Sequence, residues 1–260
     1  MLVAIDVGNT GITVGVFEGE ELRATYQMAT AIHRTADEYA ALALDFLHHQ
    51  GLHTADIKGA AMCSVVPPLT AIFQQLFRRY FHLSPLVVAA GVKTGVRILL
   101  DNPREVGADR IVNVAAAHHL YGGPLIITDF GTATTFDVVS REGNYLGGAI
   151  APGIVTSAEA LFVRAAKLPL VELTPPKHAI GTSTDAAMRS GIIFGYVGLI
   201  EGMVARIQRE LGEKVKVVAT GGYAELIAGE TPVIDIVNPG LTLIGLRLIY
   251  EMNQTQPGKE

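Results

Sequence analysis

The chain has 260 residues, room for one large core or two joined half-cores, and its 49% apolar and 17% charged residues exclude a disordered polymer. A net charge of −5 excludes the basic footprint of a broad nucleic-acid or anionic-membrane binder, so an anionic ligand must be met by local donors or a metal. The single cysteine, Cys63, excludes an intrachain disulfide, fits a reducing compartment, and reads by itself as a small buried apolar residue.

The start carries no basic leader, and Asp6 interrupts its apolar stretch after five residues, so no secretion signal is expected and a cytoplasmic location is. Leu2-Val3-Ala4-Ile5 reads as a buried strand ending in Asp6-Val7-Gly8-Asn9-Thr10. Residues 12–17 and 22–26 read as the next two strands, joined by the turn Glu18-Gly19-Glu20. Tyr39, Leu42, Ala43, Phe46 and Leu47 share one helical face. A strand over 58–64, a helix over 69–81 and a strand over 86–89 follow. The longest uncharged run, residues 59–77, contains Pro67-Pro68 and so reads as strand, turn and helix, not as a membrane span. A helix over 110–121 leads to a second beginning. Leu125-Ile126-Ile127-Thr128 is again a strand, ending in Asp129-Phe130-Gly131-Thr132-Ala133-Thr134-Thr135, with strands over 134–139 and 145–150 around the turn Arg141-Glu142-Gly143. Then come helices over 152–166 and 185–211, a strand over 215–219, the turn Thr220-Gly221-Gly222, a strand over 233–236 and a closing helix over 241–252. The polar tail from 253 to 260 is expected to fray.

Asp6 aligns with Asp129 and Gly8 with Gly131, and the strands and turns that follow match as well. The chain therefore reads as two similar halves, 1–120 and 121–260. Each opens with a three-strand meander and continues with alternating helices and strands, an α/β fold of mixed sheets flanked by helices. A Gly turn at a strand end can aim successive backbone N–H groups at an anion. Asn9 and Thr10 add neutral donors, and Asp6 can hold a phosphate-bound Mg²⁺ through water. Alone, Asp-x-Gly-Asn-Thr is equally a hairpin turn; its second copy at an equivalent strand end favours two loops that hold the β- and γ-phosphates of a nucleotide across a cleft. Neither a Walker loop nor a dinucleotide fingerprint is present. In Gly107-Ala108-Asp109-Arg110, where a loop turns into a helix, the Asp109 carboxylate can take a hydroxyl proton and Arg110 can steady transferred negative charge. An Asp paired with Arg at a helix start would look the same. The histidines show no metal-ligand spacing. The stripe Tyr196, Leu199, Ile200, Met203, Val204 and Ile207 reads as core, or as a face for a second subunit.

Taken together, Asp6 to Thr10, Ser64-Val65-Val66-Pro67, Asn102-Pro103 through Gly107-Ala108-Asp109-Arg110, Asp129 to Thr135, Gly147-Gly148 through Pro152-Gly153, Lys167-Leu168-Pro169, Ile180-Gly181-Thr182 and Thr220-Gly221-Gly222 resemble the type III pantothenate kinases. These belong to the acetate and sugar kinase, heat-shock 70 and actin superfamily. The resemblance implies two ribonuclease-H-like (actin-like ATPase) halves and transfer of the ATP γ-phosphoryl group to the primary hydroxyl of pantothenate. It implies ATP and phosphate contacts at Asp6, Val7, Gly8, Asn9, Thr10, Gly11, Ile12, Thr13, Gly131, Thr132 and Thr134, with Gly221 and Gly222 bordering the adenosine. Asp109 becomes the general base, and Gly107, Ala108, Asp109, Arg110, Thr184 and position 100 the pantothenate pocket. Asp129 becomes a ligand of a monovalent cation, K⁺ or NH₄⁺, and the protein a homodimer with no nucleic-acid or membrane partner. The family often has Tyr at the position of Leu100, so a phenol hydrogen bond to the acceptor is missing here. A sugar or acid kinase of the superfamily and a non-catalytic regulator on the same scaffold are the rivals.

Overall fold

A computed structural model describes residues 1–254; the rest of the tail expected to fray lies outside the described residues. The chain begins with strands β1 (Leu2–Val7), β2 (Gly11–Glu18) and β3 (Glu21–Ala29), then α1 (Ala36–His49), β4 (Gly59–Ser64), α2 (Pro67–Leu76), β5 (Leu86–Val87) and α3 (Ala108–Tyr121). The pattern restarts with β6 (Leu125–Phe130), β7 (Ala133–Val139) and β8 (Tyr145–Pro152), followed by α4 (Ile154–Arg164), α5 (Thr184–Leu211), β9 (Lys216–Gly221), α6 (Ala224–Ala228), β10 (Ile236–Val237) and α7 (Leu241–Asn253).

Two compact units form, one from Met1–Val96, Asp101–Ala116 and α7, the other from Arg97–Leu100 and Ala117–Gly240. Their sheets have the orders β3-β2-β1-β4-β5 and β8-β7-β6-β9-β10, an antiparallel meander continued by parallel strands in each. The units depart from a division in chain order at residue 120, because α7 packs in the first. Leu243, Leu246 and Ile249 of α7 join Leu2, Ala4, Ala61, Cys63 and Val112 in one core layer. Gly245 permits this, since a Cβ there would run into the Val112 carbonyl. On the other face of the sheet, Val3, Ile5 and Val7 pack with Tyr39 and Leu47 of α1 and Leu69 and Phe73 of α2, the period-two alternation of a strand covered on both sides.

Local sequence marks the ends of several helices. Thr35 and Glu38 form a capping box on α1, Pro67 and Pro68 open α2, and α5 runs from the Ser183 cap to left-handed Gly212. The predicted helix over 69–81 ends early, its last five residues forming a π-helical turn, Phe77–Phe81. Strand β10 begins later than the predicted 233–236, because the Asp235 carboxylate accepts the Val217 N–H at 2.8 Å where a backbone carbonyl would otherwise pair. The short α6 had no counterpart in the sequence reading. By length and hydropathy α5 would pass for a membrane span. Its Ile192, Ile193, Tyr196, Ile200 and Val204 instead pack with Ile126 of β6, Phe136 of β7 and Val217 of β9, the core role of its apolar stripe.

Candidate active site

In the first unit Asp6 lies near the end of β1, in register with Thr13 on β2 and Cys63 on β4. The Cys63 thiol donates to Asp6 Oδ1 at 3.3 Å. Burial pushes the Asp6 carboxyl up to about 6, against the Cys63 hydrogen bond, and the charge of nearby Asp109 adds to the rise. Burial and both carboxylates in turn hold the Cys63 thiol well above its usual range, so it stays protonated and donates. Asp109 sits in the first turn of α3 and accepts the Arg110 N–H at 2.9 Å. Burial raises its pKa, and the hydrogen bond and guanidinium charge of Arg110 pull the other way. A Cβ at Gly107 would collide with Asp109 Oδ1, so the glycine keeps that carboxylate open on the loop side. Asn102 donates to Glu105 across the short turn Pro103–Glu105 ahead of it.

The loop from Gly8 to Gly11 is closed by the Gly8 N–H donating to the Gly11 carbonyl at 3.0 Å, and Thr30 Oγ1 donates to Gly8 O at 2.6 Å. Gly8 thus spends its N–H inside the hairpin. Asn9, Thr10 and Gly11 are exposed and Thr13 is half-buried. Val7 and Ile12 are register partners with side chains wholly in the core, which leaves only their backbone to meet a ligand.

The second unit repeats this frame. Asp129 is in register with Thr135 on β7 and Thr220 on β9. Gly221 has φ +91°, and a Cβ there would lie 2.6 Å from both Asp129 Oδ1 and the Phe130 nitrogen. Its missing side chain therefore serves the approach to Asp129, whereas Gly222 faces open space. The Gly131 N–H goes to Ala133 O at 3.1 Å, as Gly8's goes to Gly11. The Thr132 carbonyl accepts the Gly153 N–H at 3.0 Å and the Thr156 hydroxyl at 2.7 Å, which seats this loop on the start of α4. Thr132 is exposed, but Thr134 is wholly buried and its hydroxyl is bonded to Tyr196 of α5. Ser183, not Thr184, caps α5, its hydroxyl taking the Ala186 N–H at 3.2 Å. Thr184 is left exposed at the end of a groove of about 720 Å³, lined by Leu161, Leu168, Met188, Ile192, Tyr196 and Leu199 among others. Leu100 is half-buried in the segment that bridges Tyr145 of β8.

So Asp6, Gly107 and Asp109 come together in the first unit, and Asp129 with Gly221 in the second. Sequence reasoning missed Cys63 and Tyr196 as partners of site residues. A parallel-strand register and a helix-to-loop hydrogen bond leave no mark in the order of residues.

Comparison with solved structures gives the fold class. A protein of Campylobacter jejuni assigned to the Baf family of transcriptional activators superposes with a TM-score of 0.63 at 18% identity, covering 96% of this chain and 98% of its own. Component A of (R)-2-hydroxyglutaryl-CoA dehydratase from Acidaminococcus fermentans does so with 0.53 at 12% identity, covering 96% of each. At such identities these likenesses speak for the fold alone: two ribonuclease-H-like halves of the actin-like ATPase class. A family model for type III pantothenate kinase matches residues 2–206, and a type III pantothenate kinase of Dehalococcoides mccartyi is 57% identical over 253 residues, 97% of this chain and 98% of that protein. The chain belongs to the type III pantothenate kinase family. It is a kinase that uses ATP to phosphorylate pantothenate to 4′-phosphopantothenate, the first step of coenzyme A biosynthesis.

Proposed function

We propose that Asp109 is the general base of this phosphorylation, taking the proton of the pantothenate hydroxyl as that oxygen attacks the γ-phosphorus. The observation that carries the reading is that Asp109, at the start of α3 and with Gly107 leaving its carboxylate open, lies near enough to Asp6 of β1 for its charge to be felt there. A carboxylate whose pKa is raised by burial holds a transferred proton better than a solvated one. Arg110, next to it, balances charge on the acceptor side.

The Asp6 hairpin binds phosphate through Asn9, Thr10 and the exposed backbone of Gly11, on a frame made by Val7, Gly8, Ile12 and Thr13, and Thr132 does so in the second unit on the turn that Gly131 closes. Thr134 acts there by shaping the loop through its bond to Tyr196. Asp6 fits Mg²⁺ held through water: burial and a like charge both oppose its ionised form, and a divalent cation offsets both. When bound, Mg²⁺ neutralises charge on the β- and γ-phosphates. Asp129 fits K⁺ or NH₄⁺, with Gly221 leaving the flank of its carboxylate free of a side chain, and Gly222 borders the adenosine.

In the first unit Gly107, Ala108 and Arg110 are the acceptor contacts; in the second they are Thr184 and Leu100, the latter apolar in place of a phenol. The groove beside Thr184 supports homodimer formation. Small residues Ala187, Gly191 and Gly195 run along it, and exposed Leu161 flanks it, a surface suited to a second copy of α5. The location is cytoplasmic.

Asp109→Asn tests the reading in an assay coupled to ADP release. Turnover is expected to fall by about 10²–10⁴ with little change in KM for ATP, the usual worth of a general base. Full turnover by a normally folded Asp109→Asn enzyme would remove Asp109 from the role.

A further inference from the structure

Asp137 of β7 is wholly buried, and none of the roles above uses it. Its carboxylate accepts the Tyr145 phenol at 2.8 Å on Oδ1 and the Thr135 hydroxyl at 3.0 Å on Oδ2. A valine would fill a sheet position without the desolvation cost of a carboxylate, so the charge is informative about what it holds. Tyr145, equally buried, is the first residue of β8 and the attachment point of residues 97–100. Its N–H donates to Arg97 O at 2.8 Å, its carbonyl accepts the Leu99 N–H at 2.9 Å, and Ile98 bridges it in parallel.

The strand is weakest as a support at this point. Val138 pairs with Gly147 but Val139 with Tyr145, so Leu146 is bulged out, and Gly147 takes φ +118°. A bulge interrupts the ladder and bends the strand, with pairing resumed beyond it where the Ser140 N–H donates to Asn144 O at 2.8 Å. The Tyr145 side chain adds a fixed point beside this bulge through its bond to Asp137. The segment it pins carries Leu100 and runs on through Asn102-Pro103 to Gly107 and Asp109.

We propose that Asp137 and Tyr145 are positioning residues for the acceptor: the buried carboxylate holds the phenol, and the backbone of Tyr145 thereby holds residues 97–99 so that Leu100 is in place for pantothenate. The proposal rests on the reading of Leu100 as an acceptor contact. A segment seated in only a tenth of the molecules binds its ligand with a tenth of the apparent affinity, whatever the contacts made once seated.

Tyr145→Phe in the full chain removes only the hydroxyl. The expected result is a roughly tenfold rise in KM for pantothenate, KM for ATP within about twofold of the parent, and hydrogen exchange at the Leu99 amide faster by about tenfold. Unchanged exchange at Leu99, or both KM values and kcat moving together, overturns the proposal. Should Tyr145→Phe not fold, Asp137→Asn is measured in the same way. Its amide oxygen keeps one acceptor for the phenol, so the same pattern is expected at about two- to threefold, and its absence overturns the proposal. Leu100→Ala separates the two layers of the argument. An unchanged pantothenate KM there sinks the assignment of Leu100, whereas a raised one beside an unaltered Tyr145→Phe enzyme sinks only the anchoring.

Discussion

The two units share strand order, strand polarity and even the burial pattern of their first strands, yet their acids sit in different surroundings. Asp6 has a thiol beside it and a second carboxylate nearby, and burial pushes it up to about 6. Asp129 has Thr220 in register and Gly221 pressed against it, with no room for a Cβ. The frame that delivers an acid to a strand end is thus built twice from one pattern. Its chemistry is set by the residue on the next parallel strand and by a neighbouring helix, which is not the equivalent one in the two units. In the first unit that helix is α3, which brings Asp109 alongside; in the second it is α5, which ties down Thr134 and presents Thr184.

Adding one methyl group to a glycine near each acid, Gly221 on β9 in the second unit and Gly8 of the hairpin in the first, should sharpen this contrast most. Gly221→Ala meets both a positive φ and atoms at 2.6 Å that include backbone, and is expected to cost about 1–3 kcal/mol of stability. Any dependence of activity on K⁺ should shift to higher concentration with it. Gly8→Ala meets only the Gly11 carbonyl at 2.9 Å without a positive φ, and should cost less than Gly221→Ala. Urea titration of the two variants checks the order; equal losses would mean that Gly221 is held no more tightly against Asp129 than Gly8 is against its own loop.

A pH titration probes the other side of the contrast. The Asp6 pKa rises from 3.8 to about 6 on folding, so between those values the folded chain binds more protons than the unfolded one. Stability contributed by protonated Asp6 is therefore lost as pH rises through that window. The stability difference between the parent and Asp6→Asn, followed by thermal unfolding without Mg²⁺, should fall from pH 4 to pH 6 and then level off. A difference that rises with pH would mean that Asp6 is paired rather than desolvated.

Much of this was legible in the residue order. The paired Asp-x-Gly strand ends and the period-two and helical patterns fixed both meanders and most helices, because those signals are local. What escaped was set by packing between distant segments. The closing helix joins the first unit through Leu243 and Leu246 meeting strand residues some two hundred positions earlier, which no local pattern encodes. Val7 and Ile12 looked like loop ligands, yet their side chains complete the core. Thr134 reads from sequence as a phosphate contact, and nothing in its local pattern shows that its hydroxyl is buried against Tyr196. The glycines of Gly107-Ala108 and Thr220-Gly221 and the acids Asp109 and Asp129 were visible, but that each glycine makes room for one of these carboxylates was not.

The smallest expected effect concerns Cys63, read from sequence as inert. Cys63→Ala removes a buried sulfur, at a cost of about 1 kcal/mol from lost apolar burial, and also the S–H donor that holds the Asp6 pKa down. Without that donor the carboxylate rises above about 6 and must release its proton before it can take up a cation. At pH 8 Asp6 is ionised with or without the thiol, so parent and variant should need the same Mg²⁺ concentration for half-maximal activity. At pH 6 the variant should need about two- to threefold more, the size of a weak hydrogen bond. The matching change in the second unit, Thr220→Val, should leave this pH-dependent gap unopened, since it lies beside Asp129. If Cys63→Ala instead raised the Mg²⁺ requirement equally at both pH values, the loss would lie in packing around β4, and the thiol would have no part in tuning the acid of the first unit.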